Sequence, residues 1–444
     1  MEKKTCSRYG ILRLIAAALA ACTLAACGSG ASVSTASTAA SAPAASKPAA
    51  VTLNVVTSYG GDDGNRANYE AAYKAYEQAT GNTVLDASET SNEEWKAKVN
   101  TDFETGSEPD VLFYFSGVDA NKIVESGKVV PLDEIRAEYP DYAANMKDEM
   151  LATSPADGKK YTVPVNGYWE ALYCNLKVLK DCGLSAPDAS TTWEQFTEMC
   201  KTIKDKGYTP IACSLQEVPH YWFEYTVYNH GNVGNHTALP AAAADEVGQK
   251  WAKGLSDIKE MYAAGFFPAN TLTAGDADTF QLMTDNKAAF AIDGSWKIGY
   301  FQDNAMDLND FTVTYVPGQG ERKNTDLIGG LSMGYYITRK AWDDPAKRAA
   351  AVKFVESMTT DEVVSSFGAT AVTALKNGTV APSDANALVT AALAMTKGAT
   401  GVAAATEDGL ATDARSALFA DVKNIVTGKT TPEKAIDNCL SIGK

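Results

Sequence analysis

Side chains suited to holding a small polar molecule recur at the ends of predicted β-strands. Tyr59 follows the first predicted strand, Glu89 the second and Ser116 the third, while Asp293 and Trp296 flank the end of a later strand. An aromatic ring can pack against an apolar face of a small molecule, and carboxylates and hydroxyls can hydrogen-bond to its polar groups. Because ligands of open α/β sheets bind beyond the carboxyl ends of strands, we predict that these residues line one site. The alternative for Asp293 is to cap the turn that follows it.

Four further residues are predicted to complete this site. Tyr168 and Trp169 lie in a segment predicted to cross between two lobes, Trp222 lies in an aromatic-rich helix, and Gly330 lies in a glycine turn. A glycine lets the backbone approach a ligand closely. The alternative for each tryptophan, Trp296 included, is a place in the hydrophobic core.

No residue pattern predicts catalysis or a bound metal. Residues 330–334 match the G-x-S-x-G motif of hydrolases, but a strand is predicted after the serine and all three histidines precede it. The histidines match no zinc spacing, and the chain has neither a Walker A nor an H-E-x-x-H motif. We therefore predict a binding protein without catalytic residues, metal or cofactor. A secreted carbohydrate-active enzyme is the alternative, since two carboxylates ~5–10 Å apart cannot be recognised in a sequence.

The N-terminus has the features of a secretion signal that ends at a lipid-attachment cysteine. A basic segment and an apolar run over residues 11–21 precede Leu24-Ala-Ala-Cys27. The apolar run is shorter than the ~20 residues of a membrane-spanning helix, so residues 1–26 are predicted to be a cleaved signal peptide. Cys27 is predicted to carry acyl chains such as palmitate. Residues 27–50, rich in Ala, Ser and Thr, are predicted to form a flexible linker that holds the protein at the extracytoplasmic face of a bacterial membrane.

Charge and cysteine content narrow the classes of partner. The formal net charge is −16, which argues against binding nucleic acid or anionic lipid surfaces. Five of the eight cysteines follow Cys27 and have no metal-binding spacing. They are predicted to be small buried side chains, with Cys200–Cys213 and Cys174–Cys182 disulfides as the alternative.

The elements that must position the site alternate between strand and helix at first. Strands are predicted over residues 51–57, 83–88 and 108–115, with a helix over 65–80 and another capped by Ser91. This order predicts a parallel sheet covered by helices. Residues 165–290 are predicted to be mainly helical, strands return at 311–316 and 331–338, and helices complete the chain.

This pattern predicts two α/β lobes, because about 390 residues exceed one ordinary hydrophobic core. Residues 51–164 are assigned to the first part of lobe 1 and residues 165–295 to the main part of lobe 2. Residues 296–345 are predicted to form a crossover and return strands, and residues 346–444 to form C-terminal helices that span both lobes.

Four segments resemble extracellular solute-binding proteins of family 1, the carbohydrate-type binding proteins of ABC importers, which include maltose-binding protein. These segments are Glu108–Phe115 with Gly127–Glu134, Asp157–Pro164 with Ala171–Asn175, Asn286–Trp296, and Gly329–Gly334. The resemblance implies an α/β, two-lobed periplasmic-binding-protein-like fold (type II) with a hinge and an interlobe ligand cleft. Hinge closure is established for such proteins.

The same resemblance implies a function and partners. A monomeric protein would bind a mono- or oligosaccharide by lobe closure and deliver it to ABC permease subunits that are served by a separate ATPase. A surface ligand sensor or adhesin built on the same scaffold is a further alternative.

Overall fold

Two separate β-sheets organise the computed structural model, which describes residues 49–61, 63–305, 307–368, 370–379 and 385–442. One sheet has four strands in the order β2-β1-β3-β9, and we call the elements around it lobe 1. The other has six strands, with the order β10-β8-β4-β6-β5 and β7 paired to β4, and forms lobe 2. The described strands are β1 (Thr52–Val56), β2 (Thr83–Asp86), β3 (Val111–Phe115), β4 (Tyr168–Asn175), β5 (Thr209–Ile211), β6 (Ala288–Gly294), β7 (Phe311–Thr314), β8 (Asp326–Gly330), β9 (Met333–Ile337) and β10 (Gly401–Ala403).

Helices cover both sheets. In lobe 1 these are α1 (Arg66–Thr80), α2 (Glu93–Thr105), α3 (Asn121–Glu125), α4 (Leu132–Glu138), α11 (Arg339–Trp342), α12 (Pro345–Met358) and α13 (Asp361–Gly368). In lobe 2 these are α5 (Leu176–Asp181), α6 (Trp193–Asp205), α7 (His220–Tyr228), α8 (Glu246–Ala263), α9 (Asp276–Thr284), α10 (Lys297–Asn304), α14 (Ala387–Gly398), α15 (Thr412–Val426) and α16 (Pro432–Ser441).

The strand and helix alternation predicted for lobe 1 is confirmed. Strand β1 pairs in parallel with both β2 and β3, and β9 returns antiparallel to β3. The sequence of strand β3 does not alternate between apolar and polar residues, because both faces of the strand are buried. Phe113 packs in one apolar cluster and Tyr114 in another. The predicted cap of α2 was one residue off, because the Asn92 side chain, not that of Ser91, accepts a hydrogen bond from the Trp95 N–H at 2.8 Å.

Residues 165–290 are mainly helical, as predicted, but strand β4 within them was not predicted. This strand lies inside the lobe 2 sheet and pairs with β6, β7 and β8. It is buried on both faces, so its sequence shows no alternation of apolar and polar residues. Strands β8 and β10 were also not predicted.

The chain passes between the two sheets before β4, between β8 and β9, and between α13 and α14. These crossing segments contact one another. The Gly167 N–H donates a hydrogen bond to the Val372 carbonyl at 2.6 Å, and Gly330 pairs with Tyr168. The crossings therefore form one shared connection between the lobes.

The N-terminal predictions, including residues 1–26, most of the linker and Cys27, lie outside the described residues. No helix in the described part of the chain has both the length and the apolar character needed to span a membrane. The five downstream cysteines are buried free thiols, so neither of the alternative disulfides is formed.

Candidate functional site

The two lobes contact each other on both sides of the cleft between their sheets. On one side, a methyl group added to Gly299 would lie 2.4 Å from the carbonyl oxygen of Gly64, so the lobes meet backbone to backbone. On the other side, Nη2 of Arg415 lies 2.6 Å from Oδ1 of Asp119. These two contacts therefore join lobe 1 to lobe 2 at separate places.

Five partly exposed rings of lobe 2 extend from one contact toward the other, and we call them the aromatic row. The ring centroid of Trp296 lies 6.2 Å from that of Tyr168 and 6.5 Å from that of Tyr221. The His220 ring is 4.1 Å from Tyr221 and 5.7 Å from Phe419. Such ring faces can pack against an apolar ligand surface.

Local structure explains how these rings come together. Tyr168 begins β4, and Tyr221 lies in the first turn of α7 beside His220. Trp296 follows β6 and precedes α10, while Phe419 lies on α15, one turn beyond Arg415. Each ring therefore comes from the start of an element or from a helix face directed at the cleft.

Gly294 fixes the position of the Trp296 indole. A methyl group at Gly294 would lie 2.2 Å from Cη2 of that ring. The indole thus lies directly against the backbone of β6, which only a glycine permits.

Three buried carboxyl groups, which we call the carboxyl triad, lie below the aromatic row. Glu224 of α7 hydrogen-bonds with both Glu170 of β4 and Glu407. Burial raises the pKa of Glu170 to about 8 and that of Glu407 to about 7, and it raises the pKa of Glu224 well above its usual range. A protonated Glu224 therefore donates to a neighbouring carboxylate, which makes these groups both donors and acceptors.

His220 is neutral at physiological pH. Burial of the imidazole, together with the smaller effect of the charges of Lys96 and Arg415, lowers its pKa to about 3. A neutral imidazole can donate one hydrogen bond and accept another, as recognition of a hydroxyl group requires.

Asp293 lies beneath the Trp296 end of the row. Its pKa is raised to about 7, chiefly by burial, and its Oδ2 lies 3.4 Å from Nζ of Lys297. Its Oδ1 accepts a hydrogen bond from the Gly294 N–H at 2.7 Å. Asp293 thus bonds to the last residue of β6 and pairs with Lys297, and no side chain of the described residues caps α10.

The predicted lobe 1 residues occupy different environments. Tyr59 is buried among Tyr69, Phe113 and Phe367. Glu89 is exposed and pairs with Lys98 at 2.8 Å.

Ser116 and Gly330 lie at the connection between the lobes. Both the N–H and the hydroxyl of Ser116 donate to the carbonyl of Ser332, at 2.8 and 3.0 Å. Gly330 ends β8, opposite Tyr168. These two residues hold the crossing segments together.

Trp169 and Trp222 lie in the core of lobe 2, which corrects their predicted placement in the cleft. Successive residues of a strand point to opposite faces, so Trp169 faces away from Tyr168 and its indole donates to the Thr370 carbonyl. Trp222 is fully buried and stacks on Phe196 at 6.1 Å.

Several residues of the site were not predicted from the sequence. The sequence does indicate that Glu224 is unusual, because it is an acidic residue within the apolar run of α7. Phe419 and Arg415 carry no comparable signal, since they lie about 200 residues further along the chain and only tertiary packing brings them to the cleft.

A surface cavity elsewhere in the described structure lacks ring faces like those of the aromatic row. This cavity of about 400 Å³ in lobe 1 has Asp141, Asn145, Glu356 and Asp361 in its wall but no aromatic ring among its described lining residues. No cluster of three or more acidic, cysteine or histidine side chains in the described ranges is arranged to hold a metal ion.

Comparison with solved structures identifies the fold. The chain superposes on a chitin oligosaccharide binding protein with a TM-score of 0.75 and 21% sequence identity, covering 88% of this chain and 98% of that one. It superposes on the GacH receptor of Streptomyces glaucescens, solved alone and with acarbose, with a TM-score of 0.70 and 19% identity, covering 88% and 97%. These likenesses identify the two-lobed type II periplasmic-binding-protein fold.

Comparison of sequences identifies the family. The chain is 25% identical over 247 residues to the melibiose/raffinose/stachyose-binding protein MelE of Bacillus subtilis, a match that spans 50% of this chain and 54% of MelE. The family model of bacterial extracellular solute-binding proteins matches residues 61–365, which is more than half of the chain. The chain therefore belongs to the bacterial extracellular solute-binding proteins, a family of binding proteins and not of enzymes.

Proposed function

We propose that this protein binds a carbohydrate in the cleft between its lobes. The observation that carries the proposal is the aromatic row of Tyr168, Trp296, Tyr221, His220 and Phe419 above buried carboxyl groups. Rings stack on the C–H face of a sugar, and carboxyl and imidazole groups bond to its hydroxyls. The names of MelE and of the chitin oligosaccharide binding protein support a sugar ligand.

We also propose how the captured sugar is used. The lobes close on the sugar, and the closed monomer docks on ABC permease subunits whose separate ATPase drives import. A ligand favours the closed form only through contacts that are better in that form, and rings on lobe 2 facing lobe 1 supply such contacts. Loss of labelled-sugar uptake on deletion of the gene would support this role, whereas unchanged uptake would contradict it.

Cys27 is the proposed site of the lipid anchor that keeps the protein beside the permease. The signal-like residues 1–26 and the linker 27–50 support this assignment. Cys27→Ser should release the protein from the membrane fraction and abolish incorporation of labelled palmitate. Retention of both would contradict the proposal.

The boundaries proposed for the lobes follow the sheets. Residues 51–164 contain β1–β3 and residues 165–295 contain β4–β6, whereas residues 296–345 contain strands of both sheets. Residues 346–444 contribute helices to both lobes. Limited proteolysis should cut first at the crossing segments, and cuts confined to other positions would contradict these boundaries.

A sugar panel tests the proposed ligand class directly. Protein produced from Gly28 onward is heated with melibiose, raffinose, stachyose and chitin oligosaccharides. A sugar at 100 times its Kd adds about 2.7 kcal/mol to the free energy of unfolding and so raises the melting temperature. No shift with any sugar would contradict carbohydrate binding, and hydrolysis of a sugar would favour the enzyme alternative.

A further inference from the structure

A buried cluster of charged side chains joins the lobes at the second contact. Arg415 of α15 belongs to lobe 2, whereas Glu93, Lys96 and Asp119 belong to lobe 1. The side chains of Arg415, Asp119 and Lys96 are only 2%, 4% and 7% exposed. A charged group this deeply buried requires close partners of opposite charge.

Three polar contacts of this cluster cross between the lobes. Nη2 of Arg415 lies 2.6 Å from Oδ1 of Asp119 and 3.3 Å from Oε2 of Glu93. The hydroxyl of Thr412, one turn before Arg415, donates to Oδ1 of Asp119 at 2.9 Å. All three would break if the lobes separated.

Each lobe retains a partner for its own charge after such a separation. Lys96 contacts Glu93 at 2.8 Å and Asp119 at 3.2 Å within lobe 1. Arg415 lies 3.6 Å from Asp408 within lobe 2. Opening the cleft therefore leaves no cation without a carboxylate, so these contacts can break and form reversibly.

The other interlobe contact has a different character. Gly64 and Gly299 meet through their backbones. The charge of Lys297 in lobe 2 acts on Asp63 in lobe 1, where it opposes the burial that raises the pKa of Asp63 to about 6, but no ion pair joins these two side chains among the described residues. Two of the three carboxylates that pair with Arg415, those of Asp119 and Glu93, therefore belong to the opposite lobe.

We propose that Arg415 is a positioning residue of solute capture, which pairs with Asp119 and Glu93 across the cleft and thereby sets the balance between open and closed forms. Because the apparent affinity scales with the population of the binding-competent form, the pair tunes affinity for every solute that closure encloses. This inference rests on the proposed function only for its effect on affinity. Its effect on closure does not require a sugar.

Small-angle X-ray scattering of ligand-free protein tests the effect on closure. Arg415→Gln and Asp119→Asn should each increase the radius of gyration, and the double variant should add little because both remove the same interaction. Arg415→Lys, which keeps the charge, should lie between wild type and Arg415→Gln. Circular dichroism checks that each variant is folded.

Lys347→Met is the matched control. Lys347 lies 2.8 Å from the fully buried carboxylate of Asp110, and both residues belong to lobe 1. Its loss should lower the melting temperature but leave the radius of gyration unchanged. A radius for Arg415→Gln and Asp119→Asn equal to that of wild type would overturn the proposal, whether or not a sugar binds.

Titration with raffinose, or with another sugar that binds in the panel, tests the effect on affinity. Arg415→Gln should weaken binding roughly tenfold or more, and by the same factor for each sugar that binds. A factor that differs strongly between sugars would mean that Arg415 contacts the solute and would overturn the positioning role. If the radius changes but no sugar binds wild type, the proposed carbohydrate function fails while the closure role stands.

Discussion

Trp296 is the residue on which the proposed site depends most directly. Its position after a strand predicted a ring at the cleft, and its ring lies between those of Tyr168 and Tyr221. The sequence could not exclude a place in the core, since Trp169 and Trp222 stand in equally aromatic surroundings. The direction of the side chain distinguishes the three tryptophans, because those of Trp169 and Trp222 point away from the cleft.

Replacing Trp296 with Ala should weaken sugar binding roughly tenfold or more while the protein stays folded. The change removes a stacking face that is worth about 0.5–1.5 kcal/mol beyond its buried area. Isothermal titration with the tightest-binding sugar of the panel measures the change. Trp193→Ala is the control, because Trp193 packs on Phe196 at the start of α6 and should leave the affinity unchanged. Unchanged affinity in Trp296→Ala would remove this ring from the site.

Gly294→Ala tests whether the backbone of β6 positions that indole. The added methyl group cannot coexist with the ring at 2.2 Å, so the indole must move. Binding should weaken about as much as in Trp296→Ala, and the tryptophan emission spectrum should shift. Wild-type affinity with an unshifted spectrum would contradict this role.

At the scale of elements, α7 divides its side chains between the core and the cleft. Tyr221 and Glu224 are three residues apart and share one face, whereas Trp222 and Phe223 pack into lobe 2. The aromatic-rich helix predicted around Trp222 is confirmed. The face it presents to the cleft could not be predicted, because aromatic residues occupy all sides of this helix.

The carboxyl triad should make stability depend on pH. The pKa values of Glu170, Glu224 and Glu407 are raised, so the folded protein holds more protons than the unfolded chain. Their contribution to stability is complete below about pH 4.5, the usual range of a carboxyl group, and is lost as pH rises through about 7 to 8.

Glu224→Gln should flatten this dependence between pH 5 and 8. The amide can still donate to a neighbouring carboxylate but cannot ionise, so the variant should gain at least about 1.4 kcal/mol over wild type at pH 8 relative to pH 5. Urea unfolding at both pH values measures the difference. Glu198→Gln, on an exposed side chain of α6, is the control. Equal slopes for wild type and Glu224→Gln would contradict a shared buried proton.

At the scale of the whole molecule, the C-terminal helices complete both the core and the cleft. Helices α15 and α16 bury Leu418, Val422, Ile425 and Ile436 in lobe 2, while on α15 Phe419 belongs to the aromatic row and Arg415 contacts lobe 1. The C-terminal helices thus pack on lobe 2, whose sheet is formed mainly by the middle of the chain.

A chain ending at Gly409 should therefore fail to fold cooperatively. Each buried Leu, Ile or Val contributes about 1.5–3 kcal/mol, and four of them rival a typical total stability of about 5–15 kcal/mol. Thermal unfolding followed by circular dichroism tests this. A chain ending at Ser441, the last residue of α16, is the control and should melt like wild type. A cooperative transition in the shorter chain at the wild-type temperature would contradict the assignment.

The sequence by itself determined the alternating strands and helices of lobe 1, the solute-binding class and the strand-end position of Trp296. These depend on local periodicity and on short segments, which a sequence displays directly. It also predicted the signal and Cys27, which stay predictions.

Only the tertiary structure decided which side chains share the cleft. Strand β4 is buried on both faces and so carries no alternation, and Phe419 and Arg415 reach the site from the far end of the chain. The strand-end residues Tyr59 and Glu89 were predicted beside Trp296, yet one packs into lobe 1 and the other pairs with Lys98. Whether two side chains are neighbours in the cleft depends on the direction in which each one points and on how the two lobes contact each other. Local spacing along the sequence determines neither of these.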